Sequence, residues 1–334
     1  MSIISPKAIF KEKSRIILVA ILLFSFAIGI TGIFYSRSLP YAVQDEAPNM
    51  ITTLKMMADG SFRPAYPSSY YFPLTAYIYL PFFAVLFIFL RLSGFVTSLA
   101  ALKVIGIIDY AEFLPLVRFI SVLFGVASVF LIYKITEKLF NNKFTGLISS
   151  FLLSTSLLFV QLSHFGRVWI LQIFFILFAL YLIIAKLYLK DKPLWKDYFW
   201  TAISIGVSFG INMVGLFIYL PFLVVHFLKN RGVGFIGTFI KNKYFWLTNF
   251  IICLFIPLLY VLNPYGFGNN KGWFGKAVAA FFQGNTYKIN FLERIFYDKI
   301  LFEYEPVLFF LFIPCAILLF LKERKIFYIL TSFI

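Results

Sequence analysis

Long runs of apolar residues dominate this chain and restrict it to folds that place helices across a membrane. The first run, residues 16–34, carries no charge and is long enough to cross the roughly 30 Å hydrocarbon core of a bilayer as a helix. Hydrophobic residues make up 61% of the chain and charged residues 13%, whereas soluble domains average roughly 45 to 50% and about 25%. The sequence therefore predicts an all-α, polytopic transmembrane helical bundle.

Further spans are predicted at similar runs along the chain. They cover residues 72–92, 114–133, 145–162, 168–187, 198–211, 215–227, 244–262 and 300–321. Residues 327–334 begin another apolar run that is too short to span, so we expect the chain to be truncated at its C-terminus, with further spans missing. Residues 1–334 are treated as one transmembrane domain.

The positive charge of the chain, formally +16, collects in short gaps between the apolar runs. This distribution is typical of cytoplasmic loops of membrane proteins, and it disfavours a nucleic-acid partner. The basic residues of these gaps are Lys134, Lys138, Lys143, Lys186, Lys190, Lys192, Lys196, Lys229, Arg231, Lys241, Lys243, Lys322, Arg324 and Lys325. With the N-terminus inside, alternation predicts two large extracytoplasmic loops, residues 36–71 and 263–299.

The first outer loop contains a predicted short helix over residues 48–59. Pro48 suits the first helical turn and Gly60 suits the position just past the end. Met50, Leu54 and Met57 fall on one face at helical spacing, so we expect this helix to lie in the plane of the membrane interface.

The number of crossings between the first outer loop and the gap at Lys134 must be odd if the two lie on opposite sides. The runs at residues 72–92 and 114–133 give only two crossings. Residues 95–108 are predicted to supply a third, as a short or re-entrant passage, although Lys103 interrupts this run.

Asp45 and Glu46 form an adjacent acidic pair just past the first span. A loop carboxylate above a membrane can act as a general base on a hydroxyl, so both are candidate catalytic residues. Because neighbouring side chains point in different directions, we expect one to be catalytic and the other structural. Two ordinary solvated loop acids remain an alternative. Tyr70, Tyr71 and Pro73, at the end of the same loop, are predicted to form a substrate gate.

Basic residues on the same side are candidate phosphate ligands. Arg118 lies near the start of an apolar run, where an ionisable group is costly, but it could also snorkel to the interface. His164 and Arg167 are three residues apart at an outer turn and would share a face on a continued helix, although a histidine at a span end can be merely interfacial. The second outer loop adds Lys271 and Arg294 among aromatic residues. No metal-ligand spacing stands out.

Taken in order, these features resemble the membrane glycosyltransferases of the GT-C fold, specifically bacterial relatives of dolichyl-phosphate-mannose-protein mannosyltransferases and aminoarabinose transferases. The resemblance rests on four short motifs whose order and spacing match over most of the chain. They are Gln44-Asp45-Glu46, Tyr71-Phe72-Pro73-Leu74, Arg118-Phe119-Ile120-Ser121 and Leu162-Ser163-His164-Phe165-Gly166-Arg167. One departure is that Val168 and Trp169 stand where family members often place a second acidic residue.

The resemblance implies transfer of a sugar from a polyprenyl-phosphate carrier to an acceptor hydroxyl of a protein, lipid or glycan, with inversion. Asp45 would match the catalytic aspartate of the family and act as general base, and Arg118 and the basic outer-loop residues would stabilise the phosphate leaving group. The implied partners are the lipid-linked donor, the acceptor and membrane lipids. No cofactor is required by the resemblance, and a divalent cation stays open.

A transporter, a lipid-linked-sugar flippase or a scaffold of envelope polysaccharide assembly is the alternative function. Its best support is the glycine-rich stretch at residues 203–215, which could be a discontinuous helix of the kind that transporters place near the bilayer midplane. The abundance of Lys, Ile and Phe suggests a prokaryotic, AT-rich genome and hence a plasma-membrane location. The sequence favours the transferase, with its active site outside the cell.

Overall fold

The structure, a computed structural model, describes residues 6–34, 46–61, 63–64, 73–230, 232, 234, 236–263 and 306–332, with side chains left out at 6–12 and 306–313. Half of the first predicted outer loop and nearly all of the second therefore lie outside the described residues. Five candidate site residues lie there too: Asp45, Tyr70, Tyr71, Lys271 and Arg294. Within the described ranges every regular element is helical and no strand occurs, which confirms the all-α prediction.

The α-helices of the described ranges are numbered here in chain order. They are α1 (Pro6–Ile30), α2 (Ala47–Asp59), α3 (Leu74–Leu92), α4 (Leu99–Ile108), α5 (Leu114–Phe140), α6 (Lys143–Thr155), α7 (Leu157–Ser163), α8 (Val168–Leu182), α9 (Trp195–Ile211), α10 (Tyr219–Asn230), α11 (Lys243–Leu262), α12 (Pro306–Lys322) and α13 (Arg324–Thr331). Short 3₁₀ segments precede α5 and α10, and π-helical turns follow α8 and precede α11.

Six helical stretches in the described part of the chain are long and apolar enough to cross a membrane, which confirms a polytopic membrane protein. They are Lys13–Ile30, Leu74–Leu92, Tyr110–Phe140, Val168–Tyr188, Met213–Asn230 and Lys243–Leu262. The span predicted at residues 145–162 is instead a pair of helices, α6 and α7, bent by 63°. The bend lies at Ser156, whose backbone is extended and whose hydroxyl accepts from the Phe159 amide at 3.2 Å, so that it caps α7.

Helix α5 lies at the centre of the bundle and packs against α1, α6 and α8. The α1 contact is close because Gly29 faces Val122, and a Cβ at Gly29 would stand 2.9 Å from Val122 Cγ1. A glycine therefore lets the first helix approach the central one, which brings the end of α1 to the start of α5.

The predicted helix in the first outer loop is confirmed as α2, and it ends at Gly60 in a left-handed conformation with φ of 58°. Its apolar face is covered by protein, because Met50 and Leu54 are fully buried. They share one hydrophobic cluster with Phe83 of α3 and Leu102 of α4. Helix α2 thus packs against both α3 and α4.

The contacts of α2, α3 and α4 favour a membrane path for this region that differs from the predicted one. Asp59 at the end of α2 pairs with Lys103 in the middle of α4 at 2.7 Å, and both charges are partly exposed. Buried in hydrocarbon, such charges would be costly, so the two helices belong at a membrane surface. The Thr53 hydroxyl also donates to the Ala76 carbonyl, at 3.3 Å, and joins α2 to the start of α3.

It follows that α3 begins and α4 ends on the same side as Glu46. Residues 95–108 hold a helix of 10 residues, which at about 1.5 Å per residue reaches roughly half the hydrocarbon thickness. A full crossing by this helix is therefore excluded, and the short or re-entrant passage stays a prediction. Leu74–Leu92 is long enough to span, and it also packs along α2. If α3 and α4 both stay at the membrane surface, α5 is the one crossing between Glu46 and the gap at Lys134, and the count is odd as required.

The glycine-rich stretch at residues 203–215 is a turn between two helices. Helix α9 ends at Ile211, and Asn212 is extended with its side-chain oxygen accepting from the Val214 amide at 3.1 Å. Gly215 then lies against the Ser208 carbonyl, with no room for a Cβ. The chain therefore folds back on α9 here, and the discontinuous helix that supported the transporter alternative is absent from this stretch.

Candidate functional site

An ion pair between Glu46 and Arg118 lies where the ends of several helices meet. Arg118 donates from Nε to Glu46 Oε1 at 3.1 Å and from Nη2 to Oε2 at 2.8 Å, so the pair is bidentate. The Glu46 side chain is 0% exposed and the Arg118 side chain 3%. Bidentate geometry and enclosure give a rigid contact between residues 72 positions apart.

Gly166, in the turn between α7 and α8, gives the Glu46 carboxylate a further hydrogen-bond donor. Its amide donates to Glu46 Oε1, and its carbonyl accepts from the Tyr79 hydroxyl of α3 at 3.3 Å. A Cβ at position 166 would collide with Val117. Glycine is therefore needed here so that the backbone can approach both the carboxylate and α5.

The end of α1 is tied to the same junction by two backbone carbonyls. Arg118 Nη1 donates to the Ile33 carbonyl at 3.0 Å, and His164 Nε2 lies 2.9 Å from the Ile28 carbonyl. Because a carbonyl oxygen only accepts, this contact assigns the proton of the neutral imidazole to Nε2. The first outer loop thus leaves α1 at a point fixed by α5 and by the α7–α8 turn.

The idea that His164 and Arg167 share a helical face is wrong. Helix α7 ends at Ser163 and α8 begins at Val168, so the residues between them form a turn. His164 is directed at α1, while the guanidinium of Arg167 lies 5.5 Å from the centre of the Phe165 ring. Both are half-buried, and phosphate binding by either stays a prediction.

The structure brings together three of the candidate site residues, Glu46, Arg118 and His164, at one junction. Pro73 is buried directly before α3, and the next residue, Leu74, packs beside Gly210 and Leu259 at the ends of α9 and α11. Pro73 is therefore the one predicted gate residue that the structure describes, and it lies near the ends of α9 and α11. Tyr70 and Tyr71 lie outside the described residues, so the gate itself stays a prediction.

Two buried polar residues, Gln172 near the α9–α10 turn and Tyr79 on α3, escaped the sequence analysis. Gln172 of α8, 3% exposed, donates from Nε2 to the Ser208 hydroxyl at 3.0 Å, and its Oε1 has no hydrogen-bond partner among the described residues. A polar residue in the apolar run 168–187 was a usable signal, because such residues face the interior of a bundle. Tyr79 carried no comparable signal, since its partner is a backbone carbonyl 87 residues away.

No group of three or more His, Cys, Asp or Glu that could hold a metal ion occurs in the part of the chain that the structure describes. The free thiols Cys253 and Cys315 are exposed on apolar helices α11 and α12.

Comparison with known proteins links this arrangement to a family. Residues 114–261 match the family model described as dolichyl-phosphate-mannose-protein mannosyltransferase, a segment that runs from the start of α5 almost to the end of α11 and includes Arg118 and the α7–α8 turn. Neither a curated protein nor a solved structure matches the chain. The match supports a membrane glycosyltransferase of the GT-C type. The resemblance predicted from the motifs is thereby confirmed over residues 114–261, which hold the Arg118 motif and the motif that ends at Arg167, and the chain is an all-α, polytopic membrane protein similar over this segment to the dolichyl-phosphate-mannose-protein mannosyltransferases.

Proposed function

We propose that this protein transfers a sugar from a polyprenyl-phosphate-linked donor to a hydroxyl of a protein, lipid or glycan acceptor. The observation that carries the proposal is the enclosed Glu46–Arg118 pair. It fixes the residue next to Asp45 at the point where α1, α5 and the α7–α8 turn meet. A base that must reach a reacting hydroxyl benefits from such a rigid support.

Asp45 is proposed as the general base and Glu46 as its support. The Glu46 carboxylate is fully buried and already accepts three hydrogen bonds, two from Arg118 and one from the Gly166 amide. A carboxylate so enclosed has no opening toward a substrate hydroxyl. We therefore assign Glu46 a positioning role and leave the proton transfer to Asp45.

The proposed step is a single displacement at the anomeric carbon of the donor. Asp45 takes the proton of the acceptor hydroxyl while the acceptor oxygen bonds to that carbon. The bond to the phosphate oxygen breaks on the opposite face, and the polyprenyl phosphate leaves with the bonding electrons. One displacement at one carbon gives inversion.

The leaving phosphate gains negative charge, which basic groups near it would stabilise. Three nitrogens of Arg118 already contact Glu46 or the Ile33 carbonyl, so we assign Arg118 mainly a positioning role. His164, Arg167, Lys271 and Arg294 are proposed as the phosphate-side residues.

The basic gaps between spans support a plasma-membrane location with the Glu46–Arg118 junction outside. Lys134 and Lys138 lie in the last turns of α5 and Lys143 begins α6, across one span from Arg118. Under the positive-inside rule that end is cytoplasmic, so the junction and Asp45 face the extracytoplasmic side. Tyr70, Tyr71 and Pro73 are proposed to border the entry of the donor.

The test is release of free polyprenyl phosphate from a panel of polyprenyl-phosphate sugars by the protein in detergent micelles, with solubilised membrane extract added as the source of acceptor hydroxyls. Micelles have no compartments, so release cannot arise from transport. We expect Asp45→Asn to lower the turnover by about 10² to 10⁴ fold, the usual contribution of a general base. Asp59→Asn, which removes a partly exposed carboxylate of the same outer region, is the matched control and should retain activity.

Equal turnover by wild type and Asp45→Asn would remove Asp45 from catalysis. Absence of release from every donor, with a protein whose thermal unfolding is cooperative, would contradict the transferase assignment itself.

A further inference from the structure

A cationic cavity opens at the end of the bundle opposite the Glu46–Arg118 pair. It has a volume of about 410 Å³ and is lined by the end of α10, the start of α11 and the connection before α9. Helix α8 with its π turn, 21 residues long, separates this end from Arg167 by roughly 30 Å at about 1.5 Å per residue. The cavity therefore lies at the other membrane face.

Three lysines, Lys229, Lys241 and Lys243, line this cavity against one carboxylate, Asp191. No ion pair to any of the three lysines is found among the residues that the structure describes. The nearby carboxylate of Asp197 is already bound to Lys190 at 2.5 Å. The lining thus carries a net positive charge that suits an anionic group.

The walls between the lysines are polar and held in place. Asn242 caps α11 by accepting from the Tyr244 amide at 3.0 Å, and its Nδ2 donates to Asn230 Oδ1 at 3.3 Å. Tyr244 stacks on Tyr198, with ring centres 5.2 Å apart. These contacts fix the ends of α10 and α11 relative to each other, so the cavity is a formed feature of the fold.

An apolar cavity of about 580 Å³ adjoins the same turn of α10. Phe227 and Leu228 line it, and the next two residues, Lys229 and Asn230, line the cationic cavity. Its other walls come from Phe239, just before α11, and from α13. Since consecutive residues of α10 line the two cavities, a ligand that occupies both needs an anionic head group next to an apolar tail.

We propose that the two cavities form one binding site for an anionic phospholipid, with the phosphate head group at the lysines and an acyl chain in the apolar cavity. Basic pockets between helices at the cytoplasmic surface are suited to such head groups, and this leaflet is the one rich in anionic lipid. The site is separate from the proposed sugar-transfer site and does not depend on it.

A free phosphate ion could satisfy the lysines alone, but it would leave the apolar cavity without a function. The side chains around this end of the bundle also face lipid, since Ile240 and Trp246 are each 56% exposed. A membrane lipid therefore accounts for both cavities and for the apolar surface beside them.

The experiment is native mass spectrometry of the purified protein in micelles, titrated with dioleoyl phosphatidylglycerol. The variant Lys241→Gln with Lys243→Gln should bind this lipid about 30-fold more weakly, at about fivefold for each lysine near a membrane surface. Lys138→Gln with Lys196→Gln removes the same charge at the same membrane face, outside the cavity, and should bind nearly as wild type does. Thermal unfolding midpoints check that all proteins are folded.

Two further measurements separate a lipid from a free ion. Val224→Phe places a larger side chain in the apolar cavity and should weaken binding of the diacyl lipid without changing binding of inorganic phosphate. If the Lys241→Gln/Lys243→Gln variant and the Lys138→Gln/Lys196→Gln variant lost lipid affinity equally, the proposal would be overturned. Inorganic phosphate that binds as tightly as the lipid, with no effect of Val224→Phe, would overturn it as well.

Discussion

Breaking the Glu46–Arg118 pair is expected to destabilise the protein strongly, because the structure leaves neither charge any access to water. Both side chains are at most 3% exposed. Glu46→Gln leaves a buried guanidinium without its counter-charge, and Arg118→Met leaves a buried carboxylate. Each loss should cost about 3 to 5 kcal/mol of unfolding free energy. In the double variant no buried charge remains, so its cost should be well below the sum of the two.

The assay is reversible unfolding by sodium dodecyl sulfate in mixed micelles, followed by the fluorescence of the 5 tryptophans. The double-mutant cycle should give a coupling energy of about 2 to 3 kcal/mol. The Lys103–Asp59 pair is the matched control, since its side chains are 28% and 52% exposed and such a pair should give less than about 1 kcal/mol. Additive effects of Glu46→Gln and Arg118→Met, with coupling below about 0.5 kcal/mol, would refute a buried pair.

Two further changes test the turn at Gly166 and the gap before α9. Gly166→Ala has no room for its methyl group, so it should separate the turn from Glu46 and lower both sugar-transfer turnover and the thermal midpoint. Normal values for both would contradict the close approach. At Asp197, burial acts to raise the pKa, but the hydrogen bonds from Lys190 and from the Leu194 amide outweigh burial and hold the pKa below its usual range. A lowered folded-state pKa gives stability that is present above about pH 4, the unfolded value, and lost as the pH falls through the folded-state pKa. Asp197→Asn should therefore lower the thermal midpoint at pH 7, and the difference in midpoint from wild type should become smaller below pH 4. A difference that does not change with pH would contradict a stabilising, ionised Asp197.

The sequence predicted the spans well because their signal is local. An apolar run of about 20 residues carries the information for a membrane helix within itself, and Val168–Tyr188 and Lys243–Leu262 appear close to their predicted bounds. The path of α3 and α4 could not be predicted in this way. Its decisive contact is the pair between Asp59 and Lys103, 44 residues apart, and composition alone does not distinguish a membrane-spanning helix from one packed at the surface.

In the candidate site too, residues with a local sequence signal could be predicted and residues defined by tertiary contacts could not. Arg118 was identifiable because an ionisable residue in an apolar run is rare. Its partner Glu46 was not identifiable, because the two residues are 72 positions apart. The predicted role of Arg118 toward a phosphate stays a prediction. The role of Gly166 also depends on tertiary contact, because the constraint comes from Val117 and Glu46 on other elements.

The membrane path of α3 and α4 can be tested by labelling single cysteines with an impermeant maleimide. Cys253 and Cys315 are exposed, so both are first replaced by serine. If α3 and α4 form a surface layer, Ser93→Cys between them should react from the same side as Ser61→Cys just after α2, and both positions are exposed. Lys138→Cys near the end of α5 is the control and should react from the opposite side. If α3 crossed the bilayer, Ser93→Cys would react together with Lys138→Cys. That result would place the Asp59–Lys103 pair within the hydrocarbon and would refute the single crossing between Glu46 and the basic gap.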